Sequence, residues 1–600
     1  MGFLESALGK LFYWINRRIY WHQLPRLLGF LNLIALRVNL RQKNLIDTMT
    51  VLPEAPAPDS FGAGFDLRGW RTPDGSYNDR EKPWMGMKGV RFGRNVGIEH
   101  TWPVEESNLM KPSPRTISRQ LLRREGFRPA TSLNLLAAAW IQYQVHDWFT
   151  HGRNDRTRMK EVPLDQNDDW PLPKMEVPAT TQDPTFVVPN NERRPPTFLS
   201  QETHWWDASA LYGNAERQKQ LREGAVRGKL RMAPGGLLPL DEEKGGIDLT
   251  GNNNNWWIGL TVMHTLLARE HNTVCDMLAE AHPDWSDDKI FHTARLVMAA
   301  LIAKIHTIEW TPTLLDTPLL HTGMRGNWWG LLGERIRKRF GRLTADDYLS
   351  GIMGSKTDHH GCPYSLTEEF VAVYRMHPLI PDEFAIRVLA TGEVKTFTLA
   401  QVSNRGAREV LSEVGIHNLV YHIGTANPGA LTLQNYPLGL SDLVRQDGKG
   451  RTDLACVEIM RDRERGVPRY NKFRELLDMP RVKRFSEITS DPARAREMET
   501  IYGGDLEAVD TMVGLLAEAP PPGFIFSDTA FRVFILMASR RLKSDRFFTT
   551  DFTPEIYSRE GMDWVQNTTF TDILRRHFPD VTSGIAEGKS PFAPWGAPVS

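Results

Sequence analysis

A tyrosine and a histidine three residues apart are the first candidates for chemistry in this 600-residue sequence. Tyr374 and His377 follow a capping box formed by Ser365 and Glu368, and the apolar spacing predicts one helix that ends at His377, before Pro378. Residues three apart share a helix face, so the two side chains should lie about one turn from each other. If His377 binds a metal, Tyr374 lies beside that cofactor at electron-transfer distance.

A second pair, Gln142 and His146, lies four residues apart in a strongly apolar segment that predicts a helix over residues 131–150. A neutral imidazole can accept and return a proton near neutral pH, which suits general acid–base work. A single histidine on an apolar helix is also commonly a hydrogen-bonded core residue. The spacing alone leaves both interpretations open.

Oxygen-bearing positions alternate in one loop of the sequence. Thr203, Asp207 and Ser209 carry side-chain oxygens, and Trp205, at the alternating position between them, has a backbone carbonyl oxygen. Asp147, next to His146, adds a further carboxylate. Carboxylate, hydroxyl and carbonyl oxygens suit Ca²⁺, which takes roughly six to eight oxygen ligands.

The elements that must position these residues are mainly helical. Long apolar-periodic segments are predicted as helices, at 131–150, 255–283, 287–311, 364–377, 407–415, 506–518 and 526–543. Strand-like alternation is confined to short pieces such as 387–389 and 395–399. Residues 51–130 are rich in Pro, Gly, Arg and Asn and have little periodicity, which predicts irregular backbone around a core. We therefore expect one mainly α domain over 51–600, preceded by an N-terminal amphipathic helical segment, 1–50.

Composition excludes several classes of protein. The chain has 73 basic and 73 acidic residues, so its zero net charge gives no electrostatic reason to expect a nucleic-acid partner. Three widely spaced cysteines cannot form a disulfide framework or a CxxC metal site. The 18 tryptophans indicate large, rigid apolar surfaces. A reducing compartment is expected.

The N-terminal segment is the only stretch with membrane character. Its apolar run, 27–36, is about half the length that a spanning helix needs. The tryptophans and arginines around it suit an interfacial amphipathic helix, and a helix packed on the main domain is the alternative. No small-residue cleavage site follows the run, so we expect a cytoplasmic or peripheral membrane protein that is not secreted.

Four segments resemble the animal haem peroxidase superfamily, which includes the cyclooxygenases. YRMHPLIPD (Tyr374–Asp382) resembles the proximal motif, and IQYQVHDWFTHG (Ile141–Gly152) resembles the distal one. LTVMHTLLAREHN (Leu260–Asn272) and DLACVEIMRDRERGVPRYN (Asp453–Asn471) resemble two further signature helices. The resemblance extends from about residue 80 to the C-terminus. It implies a mainly α, cyclooxygenase catalytic domain-like fold, with haem between the distal and proximal helices.

Within that superfamily, the sequence looks most like the fatty-acid α-dioxygenases. THWWDASALYG (Thr203–Gly213), MASRRLKSDRFFT (Met537–Thr549) and the Tyr-Arg-Met-His form of the proximal motif resemble that branch. The few cysteines support this interpretation, because cyclooxygenases carry a disulfide-rich module.

The resemblance implies a role for each residue of the first two pairs. His377 would be the proximal ligand of the iron of haem b, and Asn435 would fix its other ring nitrogen. His146 would move the protons of a bound peroxide, and Gln142 would hydrogen-bond the oxygen bound to iron. Tyr374 would become the radical that attacks the substrate.

The resemblance also implies a carboxylate site and a calcium site. In the α-dioxygenases a carboxylate-binding His and Thr lie five residues apart, as His306 and Thr311 do here, and an Arg completes the site. Arg546 is the best alignment for it, with Arg541 and Arg540 as the alternatives. The family binds Ca²⁺ with the residues of the oxygen-bearing loop and the neighbouring carboxylate. These are Asp147, Thr203, Trp205 through its carbonyl, Asp207 and Ser209.

The expected activity is haem-dependent α-dioxygenation of a fatty acid. Hydrogen loss from C2 and addition of O₂ would give a 2-hydroperoxy acid, which can lose CO₂ to form a shortened aldehyde. The expected partners are a fatty acid, O₂ and an activating peroxide. A monomer is expected, with a dimer as the alternative.

Three alternatives stay open from the sequence. A peroxidase of the same fold could oxidise small reductants, or a dioxygenase could attack a carbon in the middle of the acyl chain. From a different class, the protein could be a catalytically silent haem-binding or membrane-associated scaffold. Loss of Tyr374, His146 or His377 would indicate the scaffold, and all three are present.

Overall fold

A computed structural model describes residues 11, 12, 14, 15, 18–187, 193–444 and 450–598. Those residues form a mainly helical fold, as the periodicity predicts. The α-helices are α1 Arg26–Lys43, α2 Pro114–Ile117, α3 Leu135–Trp148, α4 Ser209–Tyr212, α5 Ala215–Arg222, α6 Ile258–Ala281, α7 Asp287–Ile305, α8 Thr311–Leu314, α9 Pro318–Trp329, α10 Glu334–Phe340, α11 Asp347–Ser350, α12 Glu368–Val373, α13 Arg405–Val414, α14 Ile416–Thr425, α15 Leu438–Ser441, α16 Leu454–Glu464, α17 Tyr470–Leu476, α18 Pro492–Ile501, α19 Thr511–Ala517, α20 Asp528–Ser544, α21 Pro554–Tyr557, α22 Arg559–Asn567, α23 Phe570–His577 and α24 Pro579–Thr582.

Short helical turns and hairpins complete the described fold. The 3₁₀ turns are Trp21–Gln23, Pro58–Phe61, Ile98–His100, Pro234–Gly236, Glu242–Lys244, His377–Leu379, Phe485–Glu487 and Leu506–Ala508, and the π-helical turns are Ser118–Leu122 and His306–Trp310. The strands form four antiparallel pairs, β1 Asp155–Val162 with β2 Met175–Ala179, β3 Leu240–Asp241 with β4 Ile247–Asp248, β5 Glu383–Arg387 with β6 Val394–Thr398, and β7 Leu443–Val444 with β8 Arg451–Thr452.

The centre of the fold is a set of helices that are buried nearly all round. Twelve of the fourteen residues of α3 are buried, and α3 packs on α6, which packs on α7. A helix with so few solvent-facing positions belongs to the interior of a large domain. Helix α20 packs on α12. Helix α3 carries Gln142 and His146, α12 is followed directly by Tyr374, and α20 carries Arg540 and Arg541.

Helix α12 is shorter than the sequence predicts. It begins after Thr367, whose Oγ1 accepts from the backbone N–H of Phe370 at 3.1 Å, so the predicted cap at Ser365 is wrong. The helix ends at Val373, and His377 begins a separate 3₁₀ turn. Pro378 has no N–H to donate to the carbonyl of Tyr374, four residues earlier, so the α-helix does not continue through this segment. Tyr374 and His377 therefore do not lie on one continuous helix.

The N-terminal helix α1 packs one face against the helices α9 and α20. Leu33, Leu36 and Leu40 are buried on that face, and the nearby Trp21 donates from Nε1 to Asp528 Oδ1 at 2.8 Å. Leu27 on the opposite side is 72% exposed. Among the described residues, no helix is both long enough and apolar enough to cross a bilayer. The part of the predicted N-terminal amphipathic segment that precedes residue 11 lies outside the described residues.

Candidate active site

Tyr374 lies at the C-terminal end of α12, in an aromatic enclosure. Its ring stacks on Phe534 of α20 at 5.2 Å between centroids and meets the edge of Trp148 at 5.2 Å. Phe370, one turn earlier, packs at 4.5 Å. Burial raises the pKa of the Tyr374 hydroxyl well above its ordinary value, so the phenol keeps its proton at neutral pH.

His306 lies in the π-helical turn that continues α7. Trp140 Nε1 donates to His306 Nδ1 at 3.2 Å. An indole N–H can only donate, so Nδ1 accepts and the ring proton lies on Nε2. Burial lowers the pKa of His306 well below its ordinary value, so the ring is neutral. Thr311 follows, and its Oγ1 donates to the carbonyl of His306 at 2.7 Å. π-Helical turns of this kind occur frequently at functional sites.

Arg541, in the last turn of α20, completes the enclosure. Its guanidinium lies over Trp148 at 3.9 Å and Trp206 at 4.5 Å from the ring centroids. The residue is 2% exposed, and its Nε and Nη2 have no hydrogen-bond partner among the described residues. One small cavity is lined jointly by Tyr374, His306, Thr311 and Arg541. A buried cation without a carboxylate is costly, so this geometry favours an anionic ligand.

Arg546, the best candidate from the sequence, lies elsewhere. Its Nη1 pairs with Asp551 and also donates to the carbonyl of Arg68 at 2.7 Å, while Nη2 donates to the carbonyl of Leu67 at 2.9 Å. Those contacts keep Arg546 away from the Tyr374 cavity, and of the three candidate arginines it is Arg541 that lines the cavity. The reason is positional, because Arg546 follows the end of α20 and turns towards the loop before residue 80.

A signal for Arg541 was present in the sequence. Phe534 and Arg541 are seven residues apart, which is two helical turns, so they share the face of α20 that meets Tyr374. Arg540 lies about 100° away on the helix and donates instead to the carbonyls of Cys362 and Pro363 at 2.9 and 3.0 Å. Helix periodicity therefore separates Arg541 from Arg540 once the contact between Phe534 and Tyr374 is known.

His377 lies beside an acidic residue of α16. Its Nδ1 is 3.1 Å from Glu458 Oε1, within ion-pair distance, although the ring N–H does not point directly at that oxygen. Glu458 also accepts from the Tyr436 hydroxyl at 3.0 Å. Burial acts to raise the pKa of Glu458, but His377 and the nearby Arg375 outweigh it and hold the pKa below its ordinary value. A carboxylate on Nδ1 leaves the other ring nitrogen of His377 for a metal.

Asn435 does not perform the role that the sequence predicts. Its side-chain nitrogen donates to the carbonyls of Arg128 at 2.9 Å and Ala430 at 2.8 Å. Its oxygen accepts from Arg124 Nε and from the backbone N–H of Arg128. The amide is thus fully used in holding a loop, and Glu458 is the residue beside His377. Sequence reasoning missed Glu458, although an acidic residue in the apolar run of α16 is a recognisable signal.

On the distal side, His146 and Gln142 lie on α3 as predicted from their spacing. Burial lowers the pKa of His146 to about 4, so the ring is neutral, and its Nδ1 is buried without a hydrogen-bond partner. Gln142 Oε1 accepts from Trp257 Nε1 at 2.7 Å, and its Nε2 donates to the carbonyl of Asn255 at 3.0 Å. These contacts fix the Gln142 amide in place.

The oxygen-bearing loop meets α3 directly behind His146. Ser209 connects the two carboxylates, because its backbone N–H donates to Asp207 Oδ1 and its hydroxyl donates to Asp147 Oδ1, both at 3.1 Å. Burial and the neighbouring Asp207 raise the pKa of Asp147 to about 7. Asp147 Oδ2 and Thr203 Oγ1 are buried and have no hydrogen-bond partner within the described part of the chain. Trp205 packs its ring on Tyr364 at 4.4 Å.

Two carboxylates forced together, with unpartnered oxygens beside them, fit a hard cation such as Ca²⁺. Arg295 offsets part of this negative charge, with Nη2 3.2 Å from Asp207 Oδ2. No three His, Cys, Asp or Glu side chains converge anywhere in the described ranges, so hydroxyl and carbonyl oxygens would have to complete such a site.

Known proteins that resemble this chain show the family to which it belongs. The family model of the animal haem peroxidases matches residues 70–587. The alpha-dioxygenase PIOX of Oryza sativa subsp. japonica is 38% identical over 100% of this chain and 96% of its own length, and alpha-dioxygenase 2 of Arabidopsis thaliana is 37% identical over 100% and 94%.

Solved structures of the same kind superpose closely. The crystal structure of the Arabidopsis thaliana fatty acid alpha-dioxygenase gives a TM-score of 0.89 at 35% identity, over 100% of this chain and 94% of that one. A tyrosine-to-phenylalanine variant of the Oryza sativa enzyme, solved with palmitic acid, gives 0.89 at 37% identity, over 100% and 98%.

The chain belongs to the animal haem peroxidase family and, within it, to the α-dioxygenases. It is an oxidoreductase of the dioxygenase class.

Proposed function

We propose that this protein is a haem-dependent fatty-acid α-dioxygenase in which Tyr374 removes a hydrogen atom from C2 of the bound acid. The observation that carries the proposal is the shared cavity of Tyr374, His306, Thr311 and Arg541. It combines a redox-capable phenol with a buried cation that lacks a carboxylate partner. A carboxylate held there would bring the carbon next to it close to Tyr374, and would keep carbons further along the acid away.

The carboxylate would be bound by donors of two kinds. The Nε2–H of neutral His306 and the unpaired nitrogens of Arg541 are both available, and bonds from a guanidinium to a carboxylate are charge-assisted. The Thr311 hydroxyl donates to the backbone, so it would contribute by position rather than as a donor. The aromatic enclosure excludes water and strengthens these interactions.

The residues around His377 and His146 fit a haem. His377 would hold the iron through Nε2, since Nδ1 lies beside Glu458. Neutral His146 would accept a proton from the activating peroxide and return it. Haem b, when bound, supplies the one-electron oxidation that makes Tyr374 a radical. Gln142 would present a fixed amide on the distal side.

In the proposed reaction Tyr374 takes up a hydrogen atom and later returns it. The tyrosyl oxygen takes a hydrogen atom from C2, O₂ adds to the carbon radical, and the resulting peroxyl radical takes the hydrogen atom back from Tyr374. The acid and O₂ are consumed one to one, the product is a 2-hydroperoxy acid, and the tyrosyl radical is regenerated. The product can lose CO₂ and water, with cleavage of its O–O bond, to give an aldehyde one carbon shorter.

Ca²⁺ would stabilise the distal side of the site. Asp147, Asp207, Thr203, Ser209 and the carbonyl of Trp205 are the ligands that we propose. The proposal is supported by Asp147 Oδ2 and Thr203 Oγ1, which are buried oxygens without a hydrogen-bond partner among the residues that the structure describes. Because Asp147 is adjacent to His146 on α3, the ion would hold the distal imidazole in position.

Product analysis with palmitate, O₂ and a trace of peroxide tests the proposal. We expect oxygen uptake with 2-hydroperoxypalmitate and pentadecanal as products. A saturated acid lacks the weakened internal C–H bond that a mid-chain dioxygenase attacks. Oxidation of a phenolic reductant without oxygen uptake would instead indicate a peroxidase. Either that outcome or a mid-chain product would refute the proposal. We also propose a monomer, which the mass in solution tests.

A further inference from the structure

Two surface segments outside the Tyr374 cavity are both apolar and basic. Helix α10 has no buried residue, and it exposes Ile336 and Phe340 one turn apart on the same side. Leu331 is exposed just before it. The first turns of α1 also expose leucines. We call this set the apolar rim: Leu27, Leu28, Leu31, Leu331, Ile336 and Phe340.

The apolar rim reaches one cleft of about 310 Å³ at Leu331. Phe30 and Ile34 of α1 line it from one side, and Leu331 and Tyr348 from the other. Arg37 connects the sides, because its guanidinium lies 5.4 Å from the centroid of the Tyr348 ring. The volume is in the range of clefts that hold small ligands.

The cleft leads towards the proposed active site. Met324 and Asn327 line both the cleft and the cavity that contains Tyr374. Asn327 Oδ1 accepts from Arg37 Nη1 at 2.9 Å, so polar side chains lie at the boundary between the two spaces. A ligand in the cleft would therefore lie one layer of side chains from Tyr374.

Charge identifies the kind of partner that the apolar rim fits. Helix α10 carries Arg335, Arg337, Lys338 and Arg339 against the single acid Glu334, a net charge of three positive. Lys338 and Arg325 pair with Glu334, while Arg335 and Arg339 make no ion pair with the described residues. A second copy of the chain would bring like charges together, which disfavours self-association. Apolar side chains beside unpaired cations instead match the interface of an anionic bilayer.

We propose that the apolar rim docks on an anionic lipid surface, with the cleft as the route by which a membrane-dissolved long-chain acid reaches Tyr374. The route, though not the docking, rests on the proposed function. Leucine, isoleucine and phenylalanine side chains would enter the region between head groups and acyl chains, and Arg335 and Arg339 would contact phosphate. The docking would place the cleft against the lipid that contains the substrate.

Vesicle co-sedimentation of the full chain tests the docking. We expect binding to phosphatidylcholine vesicles that contain phosphatidylserine and much weaker binding to phosphatidylcholine alone. Ile336→Ser with Phe340→Ser should lower the binding about tenfold or more, since both substitutions replace an apolar side chain that the lipid would bury with a polar one. Arg335→Glu with Arg339→Glu should do the same, and its effect should shrink at high salt.

Matched controls keep the test specific. Val226→Ser with Val394→Ser removes two exposed apolar side chains outside the apolar rim and should leave vesicle binding unchanged. Equal loss in this control, no binding by the unaltered protein, or full binding by both rim variants would overturn the docking. So would dimerisation of the unaltered protein that the rim variants abolish, because the apolar rim would then be a contact between copies.

Oxygen uptake separates the route from the activity. With palmitate presented in anionic vesicles, the Ile336/Phe340 variant should show a raised KM and an unchanged kcat. With water-soluble octanoate its KM should match that of the unaltered protein. Unchanged KM for vesicle-borne palmitate would overturn the route. If the unaltered protein oxidised neither acid yet bound vesicles through the apolar rim, the proposed function would fail while the docking stood.

Discussion

Two arginines near the end of α20 should respond in opposite ways to the same substitution. Arg541 is buried over two tryptophan rings without a carboxylate partner, whereas Arg546 is paired with Asp551. Arg541→Met and Arg546→Met each remove a guanidinium and keep an unbranched side chain of similar length. The structure predicts that the first change weakens substrate binding and the second weakens the fold.

The magnitudes follow from what each guanidinium contacts. A hydrogen bond to a charged group contributes about 1.5–3 kcal/mol, so loss of one such bond in Arg541→Met should weaken palmitate binding about 10- to 150-fold. The same change removes a cation–π attraction but also relieves the cost of a buried charge. These effects oppose each other, and we expect the free energy of unfolding to change by less than about 1 kcal/mol.

Arg546→Met should leave palmitate affinity within about twofold but destabilise the fold. Breaking one partner of a buried pair commonly costs about 3–5 kcal/mol. Asp551 keeps a second partner, Arg80 Nη2 at 2.8 Å, so the lower end of that range, about 3 kcal/mol, is expected. Two backbone carbonyls, of Leu67 and Arg68, also lose their donors.

Calorimetric titration with palmitate measures the first effect, and urea unfolding measures the second. Both are best done in a Tyr374→Phe background, where the acid binds without turnover. Unaltered palmitate affinity in Arg541→Met, together with at least a tenfold loss in Arg546→Met, would refute the assignment of the carboxylate site to Arg541. Equal losses of affinity in both would show that affinity follows general stability.

Three further predictions concern the radical, the proximal side and the cation. Tyr374→Phe should abolish oxygen uptake with palmitate while the Soret band is kept, and residual uptake above a few per cent would contradict the radical role. Glu458→Gln should weaken haem affinity about 10- to 100-fold, measured by haem titration, because His377 loses its carboxylate partner; unchanged affinity would contradict this. After treatment of the protein with a chelator, addition of Ca²⁺ should raise its unfolding midpoint. Asp207→Asn should abolish that rise, since Asp147 would then be the one remaining carboxylate of the proposed site. A rise that survives Asp207→Asn would rule out this location.

Residues whose roles depend on local spacing could be predicted from the sequence. The apolar period predicts α3, α6, α7 and α20 within a few residues of their observed ends. His306 and Thr311 line the Tyr374 cavity, and the carboxylate-binding role that the family motif implies for them stays a prediction. The oxygen-bearing loop does meet Asp147.

Residues whose roles depend on the path of the backbone beyond an element could not be predicted so well. Arg540, Arg541 and Arg546 are chemically identical in the sequence, and only the packing of α20 on Tyr374 and the turn after residue 544 separate them. The sequence likewise does not show whether Asn435 or Glu458 lies beside the His377 ring, because that depends on how α16 packs against the turn that contains His377. The cap of α12 differs from the prediction because a serine and a threonine two residues apart can both precede a helix.

The sequence by itself determined the helical class and the family, and it predicted most of the residues for which we propose chemical roles, because helix periodicity and motif spacing are local properties. Only the tertiary structure decided which arginine remains buried without an anion, which acid lies beside His377, and that α1 and Leu331, just before α10, line one cleft. Those outcomes depend on contacts between segments hundreds of residues apart. Burial and pairing are properties of such contacts, so they arise only when the protein is folded.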